Sequence, residues 1–450
     1  MPARVNVTEL IDTSKLSAFQ ITVYVLCGLC LIMDGFDVQS MGYVGPSLIP
    51  EWKITPQAFG TVLSAAPMGV LIGSLLFSMI ADKIGRRPVL IAVTAYYGIM
   101  TLITAQAGSL QQLFWIRLIA GIGLGGIMPN GVALSGEYSS KKSRVTAMMV
   151  VANCFSAGAA VGGFVAAWLI PRFGWRSVFY FGGTLPLLIA VAMLLMLPES
   201  LQFLAATGKN MAHAASWLKR VDPSVPTGPG VEYYVTDTSH KGVPFLYLFH
   251  DGRAVGTVLI WVLNFMNLLN LYFLANWLPT VVSNAGFTRQ QGVLVTAMLQ
   301  LAGTAGAFVL GWLIHKYGFV PVLSTGFLMG TISIALIGQP GWSVLGIFIV
   351  VSLAGVGVVG GQAGVNACSA TFYPTELRAT GVGAGLGIGR IGAIVGPLVA
   401  GQLLGLHWTL DKLFYAAAVP ALISAIVMVA MRWVLKPQAL QPVPHEIAVH

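Results

Sequence analysis

Twelve times along its 450 residues the chain runs for about twenty residues with almost no charge. A helix rises about 1.5 Å per residue, so each run is long enough to cross the ~30 Å hydrocarbon core of a bilayer. The runs lie at roughly 20–44, 58–80, 88–108, 112–134, 146–170, 176–197, 254–282, 291–314, 319–338, 342–367, 380–404 and 412–434. This spacing predicts an all-α integral membrane protein of twelve transmembrane helices, numbered here as spans 1–12. Only 9% of the residues are charged and 56% are hydrophobic, whereas a soluble domain carries about 25% charged residues. Such a chain could not coat a water-facing surface. Its solvent is lipid.

A net charge of +9 would point to nucleic acid in a soluble protein. Here the basic residues mark one face of a membrane, and no nucleic-acid partner is expected. An even number of spans puts both termini on one side. With the amino terminus assigned to the cytoplasm, 17 Lys and Arg fall on the cytoplasmic side, 5 on the opposite side and 2 inside spans. That asymmetry predicts a multi-pass protein of the cell membrane with both termini cytoplasmic. The first apolar run lacks a small-residue cleavage site, so no cleavable signal peptide is expected. Cys27, Cys30, Cys154 and Cys368 all lie in apolar runs, away from any cluster with metal-ligand spacing, and read as packed thiols without a disulfide or metal.

The sequence repeats. IADKIGRRPVL at 80–90 aligns with LIHKYGFVPVL at 313–323, an offset of 233, and AGIGLGG at 120–126 aligns with AGVGVVG at 354–360, an offset of 234. Arg144, Thr146, Gly158 and Gly162 match Arg378, Thr380, Gly392 and Gly396 at that same offset. A near-constant offset across several motifs implies two six-helix halves of one fold, as in secondary transporters. The expected boundaries are an amino-terminal half at 1–198, a cytoplasmic linker at 199–252 and a carboxy-terminal half at 253–450. The linker holds Pro223, Pro226, Pro229 and Gly230 and is expected between short amphipathic helices. Halves of this kind are expected to rock about a midplane site.

Asp34 and Asp37, in LIMDGFDVQSMGY, are the acidic residues placed inside the membrane. They are separated by ~4.5 Å along a helix and about 60° around it, so they share a face. Carboxylates in hydrocarbon are costly unless they face a cavity, take up a proton or meet a cation. Desolvation and mutual repulsion both favour holding a proton. The pair is therefore read as the proton-coupling site, against the plainer reading of a bonded structural pair. Arg117, in FWIRLIAGIGLGG, lies ~9 Å from the outer end of span 4, near the level expected for Asp37. It could tune or relay the proton, or snorkel to the headgroups.

Arg390, in GLGIGRIGAIVGP, lies ~18 Å deep, near the midplane, where snorkelling is difficult. A guanidinium fork suits a carboxylate ligand. The competing reading is a permanent ion pair with Asp34 or Asp37. At the repeat offset these charges have no counterparts: Asp34 falls on Leu268, Asp37 on Leu271, Arg117 on Val351 and Arg390 on Ser156. A scaffold requirement would tend to recur in both halves. Span 7, NFMNLLNLYFLANWLP, is rich in amides and rings. Asn267, Asn270 and Tyr272 are candidate substrate-binding residues beside Arg390. The loop between spans 2 and 3 offers Gly73 for close helix approach, an Asp82–Arg86 pair, and Arg86 and Arg87 as face anchors; it reads as a conformational latch.

The GxGxxG-like string at 121–126 sits inside an apolar span with no preceding strand, so it is no dinucleotide site. No Walker sequence, paired zinc motif or nucleophile elbow occurs. No cofactor, metal or enzymatic activity is expected.

The loop signature G…ADKIGRR, the span 4 pattern with Arg117 and GIGLGG, and the duplicated halves resemble the major facilitator superfamily across essentially the whole chain. DGFD at 34–37, GLGGIMPN at 123–130, PESLQFL at 198–204, YFLANWLP at 272–279 and YPTELRATGVGAGLGIGRIGAIVGP at 373–397 resemble its aromatic acid:proton symporter branch. His315 departs from the pattern, standing where the second copy of the loop often carries an acid. Sugar porters fit less well, because PESLQFL lacks their basic residue. Drug antiporters usually have Gly-Pro where Gly158 is followed by Ala159. The resemblance implies proton coupling at Asp34 and Asp37 and a transport role for Arg117 and Arg390. It implies a symporter importing a benzoate-like or hydroxybenzoate-like carboxylate, working as a monomer with protons and lipid as its other partners. The alternatives are a symporter for a non-aromatic acid, an exporter or antiporter, and a receptor built on a transporter fold; the retained charges argue against the receptor.

Overall fold

The computed structural model describes residues 4–208, 211–222, 225–226, 231–235 and 245–435. Pro223, Pro229 and Gly230 of the expected linker lie outside them, as do Lys209, Lys241 and Lys436 of the cytoplasmic set. Twelve helices among the described residues are long and apolar enough to cross a membrane. Spans 1–6 are Ala18–Trp52, Pro56–Ile84, Arg86–Thr104, Leu110–Glu137, Arg144–Phe173 and Arg176–Met196. Spans 7–12 are Ala254–Asn284, Arg289–Tyr317, Phe319–Ile337, Val344–Phe372, Leu377–Gly405 and Leu410–Trp433. Several run past the apolar stretches read from the sequence. Span 1 continues for 35 residues to Trp52, because a helix persists through the polar headgroup layer where hydropathy has already fallen.

Large apolar side chains point outward all along the spans: Leu75, Leu188, Leu195 and Leu345 are each 60% exposed or more. A surface of that kind is stable against lipid tails and would aggregate in water. Polar residues set the helix starts. Ser109 caps span 4, Ser343 caps span 10, and Thr288 with Gln291 forms a reciprocal capping box at span 8. Spans 2 and 3 are joined at Gly85, φ +103°, and spans 8 and 9 at Gly318, φ +85°. These glycines are 233 residues apart, and only glycine adopts such backbone without strain.

By contact the chain divides into two compact units. One comprises Met1–Val38, Gly69–Gly158 and Phe179–Ser239. Within it span 2 meets span 4 where Gly73 lies against the Ile122 carbonyl, and span 5 meets span 1 where Gly158 lies against Ile32. The absence of a side chain lets the backbones touch. This unit also pairs a strand at Arg4–Asn6 in parallel with one at Glu232–Tyr234, a feature with no signal in the sequence pattern. The linker supplies that second strand and short helices at Leu201–Thr207 and Met211–Val221.

The other unit comprises Gln39–Met68, Ala159–Val178 and His240–His450. Its internal contacts repeat those of the first at the sequence offset. Gly306 lies against Val356, as Gly73 does against Ile122, and Gly392 against the Phe265 carbonyl, as Gly158 does against Ile32. Portions of spans 1, 2 and 5 are knitted here to spans 7, 8 and 11. Gln39 Nε2 donates to the Ala275 carbonyl at 2.8 Å, and Ser64 Oγ to that of Ile394 at 2.8 Å. Gly163 stands where a Cβ would be 2.5 Å from the Ala297 Cβ.

Candidate functional site

In the first unit, span 1 carries Asp34 and Asp37 into a fully enclosed setting, 4% and 0% exposed. Span 4 brings Arg117, also 0% exposed, directly onto Asp37. Its two terminal nitrogens reach the two carboxylate oxygens at 2.8 and 3.1 Å, and Nη2 also donates to the Asp37 carbonyl at 3.1 Å. Thr101 of span 3 donates its hydroxyl to Asp37 Oδ1 at 2.8 Å. The arginine therefore does not snorkel toward headgroups. It is spent on a two-pronged, charge-assisted contact. Such a pair is costly to bury and still more costly to break one-sidedly. Arg117 Nε keeps a buried proton with no partner among the described residues. Thr101 was not legible as a site residue, since a lone Thr in an apolar span looks like any other.

The loop after span 2 is arranged differently from the expectation. Asp82 and Arg86 do not pair. Asp82 is exposed, and the turn at Gly85 carries Arg86 to the far side, where its Nε meets Glu137 of span 4 at 2.7 Å. The second acid is Glu199, whose Oε1 accepts the backbone N–H groups of Arg86 at 2.9 Å, Arg87 at 3.1 Å and Ser200 at 2.8 Å. Gly85 has no side chain to cap span 3, and Glu199 caps it from a distant point in sequence. Arg87 Nη2 donates to the Leu194 carbonyl at 2.7 Å, and the Tyr138 hydroxyl to that of Glu199 at 2.6 Å. Burial pushes the Glu199 carboxyl above its usual range, against the pull of its backbone donors. Glu137 and Glu199 escaped the sequence reading because they lie 51 and 113 residues from Arg86.

In the second unit, Arg390 is half-buried. Among the described residues it makes no ion pair or hydrogen bond. Gly389, its neighbour, abuts Leu268 and Asn264 of span 7. Asn267 is buried and donates its amide to the Val358 carbonyl at 3.1 Å and to Gln362 Oε1 at 2.7 Å. Val358 lies in a π-helical turn, Val356–Gly360, within span 10. Such turns free a carbonyl from the helix ladder and frequent functional sites.

Asn270, 1% exposed, leaves both its amide nitrogen and its oxygen buried without a partner among the described residues. Each such group costs about 1–3 kcal/mol unless a ligand or water meets it. Tyr272 is half-buried, and its carbonyl accepts from Asn276 at 2.8 Å. Trp277 is committed to packing: its ring meets Phe59 edge-on at 5.7 Å, and its indole N–H bonds the Pro397 carbonyl at 3.0 Å. Among the described residues no cluster of three His, Cys, Asp or Glu side chains could hold a metal.

The family model of the Major Facilitator Superfamily matches residues 27–385 and 260–447. A gallate transporter from Pseudomonas putida is 35% identical, with 95% of each chain covered. The 4-hydroxybenzoate transporter PcaK of Pseudomonas aeruginosa is 34% identical over 94% of each, and a benzoate transport protein of Acinetobacter baylyi 31% identical over 99% of this chain and 97% of its own. Among solved structures, a bacterial homolog of the human lysosomal transporter Spinster, inward-facing and occupied, superposes with TM-score 0.72 at 16% identity, covering 94% of this chain and 98% of its own. The nucleoside transporter NupG superposes at 0.70 and 15% identity, covering 92% and 99%. At such identity these structures speak for the fold alone.

Proposed function

Because the chain belongs to the aromatic acid transporter branch of the Major Facilitator Superfamily, we propose that it imports a small aromatic carboxylate across the cell membrane together with a proton. The observation that carries the proposal is the enclosed Asp37–Arg117 pair with Asp34 one turn away on the same helix. A proton arriving on Asp37 would cancel the charge that balances Arg117, and a buried guanidinium cannot be left bare cheaply. Protonation is thereby tied to a rearrangement of spans 1 and 4, which is what coupling requires. Asp34 offers a second carboxyl for the incoming proton.

The substrate carboxylate is assigned to Arg390, whose fork has no counter-ion among the described residues, and the ring to the amide-rich wall of span 7, with Asn267, Asn270 and Tyr272. Gly73, Arg86 and Arg87, with Glu137 and Glu199 as the acids, form the latch at the cytoplasmic end; Asp82 stands outside it. Both termini are placed in the cytoplasm on the Lys and Arg asymmetry. The expectations of a 199–252 linker between two halves and of a monomeric carrier belong to this reading.

The test is uptake of labelled 4-hydroxybenzoate into proteoliposomes under an imposed inward proton gradient. The wild type is expected to accumulate the acid, and Asp37→Asn to lose gradient-driven accumulation while remaining in the membrane. Accumulation by Asp37→Asn at the wild-type level, or uptake by the wild type indifferent to the gradient, sinks proton coupling.

A further inference from the structure

Span 10 carries two amides four residues apart, Gln362 and Asn366, that face the asparagines of span 7. Gln362 Oε1 accepts from Asn267 at 2.7 Å, and Gln362 Nε2 donates to Asn264 Oδ1 at 3.2 Å and Asn366 Oδ1 at 3.1 Å. Side-chain amides look alike in shape, and their orientation is read from their partners. Here two backbone carbonyls fix the whole set. The Val358 carbonyl only accepts, so the nitrogen of Asn267 faces it at 3.1 Å. The Ile260 carbonyl only accepts, so the nitrogen of Asn264 faces it at 3.0 Å. Both anchors force the same orientation on Gln362, and Gln362 then turns the oxygen of Asn366 toward itself.

Two atoms are left over among the described residues: Asn267 Oδ1, an acceptor, and Asn366 Nδ2, a donor. They flank one amide. One turn along span 7 from Asn267, Asn270 holds a buried amide with neither end satisfied among the described residues. A hydroxyl is the small group that donates one proton and accepts in return.

We propose that Gln362 sets the specificity of the carrier by holding Asn267 and Asn366 as a fixed acceptor–donor pair that reads a hydroxyl on the substrate ring. Gln362 is a positioning residue, and Asn267 and Asn366 touch the hydroxyl. The inference rests on the aromatic-carboxylate reading above, in which Arg390 takes the other end of the same molecule. The π turn at Val356–Gly360 is part of the device, because it supplies the carbonyl that keeps Asn267 from flipping.

The test is competition binding of benzoate and 4-hydroxybenzoate to the full-length protein in proteoliposomes. The wild type is expected to bind 4-hydroxybenzoate about tenfold more tightly than benzoate, the scale of one or two neutral hydrogen bonds. Gln362→Glu keeps the side-chain size and the acceptor for Asn267 but removes the donors to Asn264 and Asn366. It should cost 4-hydroxybenzoate about tenfold and benzoate about twofold or less. Asn366→Leu should collapse the ratio in the same way, by removing the donor itself. A ratio unchanged in both variants, or equal binding of the two acids to the wild type, overturns the inference. Binding of neither acid by the wild type overturns the aromatic-carboxylate reading with it. The two failures are told apart because Arg390→Lys weakens both acids alike, while the amide variants weaken 4-hydroxybenzoate far more than benzoate.

Discussion

Asp37 and Arg117 are both sealed from solvent and bonded to one another, so neither can be removed alone without stranding a charge. Breaking a buried pair from one side costs roughly 3–5 kcal/mol. Arg117→Gln is expected to destabilise the protein on that scale, and the Asp37→Asn/Arg117→Gln double variant to regain a large part of the loss, read by thermal unfolding in detergent. Additive losses would show that the two residues are not energetically coupled. Arg390 poses the opposite case, a guanidinium without a protein anion among the described residues. Arg390→Lys keeps the charge and loses the planar fork. Affinity for aromatic acids is expected to fall about tenfold or more, measured by competition binding, since charge-assisted bonds contribute ~1.5–3 kcal/mol each. Unaltered affinity for every aromatic acid would remove Arg390 from the substrate site.

Among the helices, span 3 starts on a cap that comes from Glu199 and not from its own turn. Losing a cap costs about 1 kcal/mol, and Glu199→Ala is expected to show it as a lowered melting temperature. Burial raises the Glu199 carboxyl above its usual range, so the folded state holds that proton more firmly than the unfolded chain does. Its contribution to stability is full below the ordinary carboxylate range and is lost as pH rises through the raised value. Glu199→Gln, which resembles the protonated acid, should flatten the decline in melting temperature across that window; an unchanged pH profile would show that Glu199 is not its source.

The spans, their number and the repeat were legible in the sequence because hydropathy and glycine spacing are local signals. Gly73 and Gly158 and their partners at the offset mark the same helix contacts in each unit. Asp34, Asp37, Arg117 and Arg390 were legible because charge stands out in an apolar run. Thr101, Glu199, Gln362 and Asn366 were not. Neutral polar residues occur in most spans, and only a three-dimensional contact separates a ligand from helix glue. The short strand at Arg4–Asn6 was hidden for a related reason: its partner lies more than 200 residues away.

Across the molecule, the rocking expected from the repeated halves would part the contacts that knit spans 1, 2 and 5 to spans 7, 8 and 11. Gly163 and Ala297 stand at that seam. Cysteines at both positions need the helices to ease apart by about an ångström to reach the ~3.8 Å Cβ separation of a disulfide. Gly163→Cys/Ala297→Cys is expected to lose transport on oxidation and regain it on reduction, measured by uptake in proteoliposomes. Full transport with the disulfide formed would show that the seam need not open.

The two clusters of charge also differ in what surrounds them. Arg117 and Asp37 are wholly enclosed, while Arg86 and Glu137 keep 25% and 16% of their side chains in contact with solvent. Mobile ions reach the second pair and not the first, and at molar ionic strength the reach of a charge in water shrinks to about 3 Å. Salt is thus a selective reagent for this protein. It loosens the grip between the start of span 3 and the end of span 4 and leaves the carboxylate–guanidinium clasp between spans 1 and 4 untouched, so the two can be adjusted independently without altering a single residue.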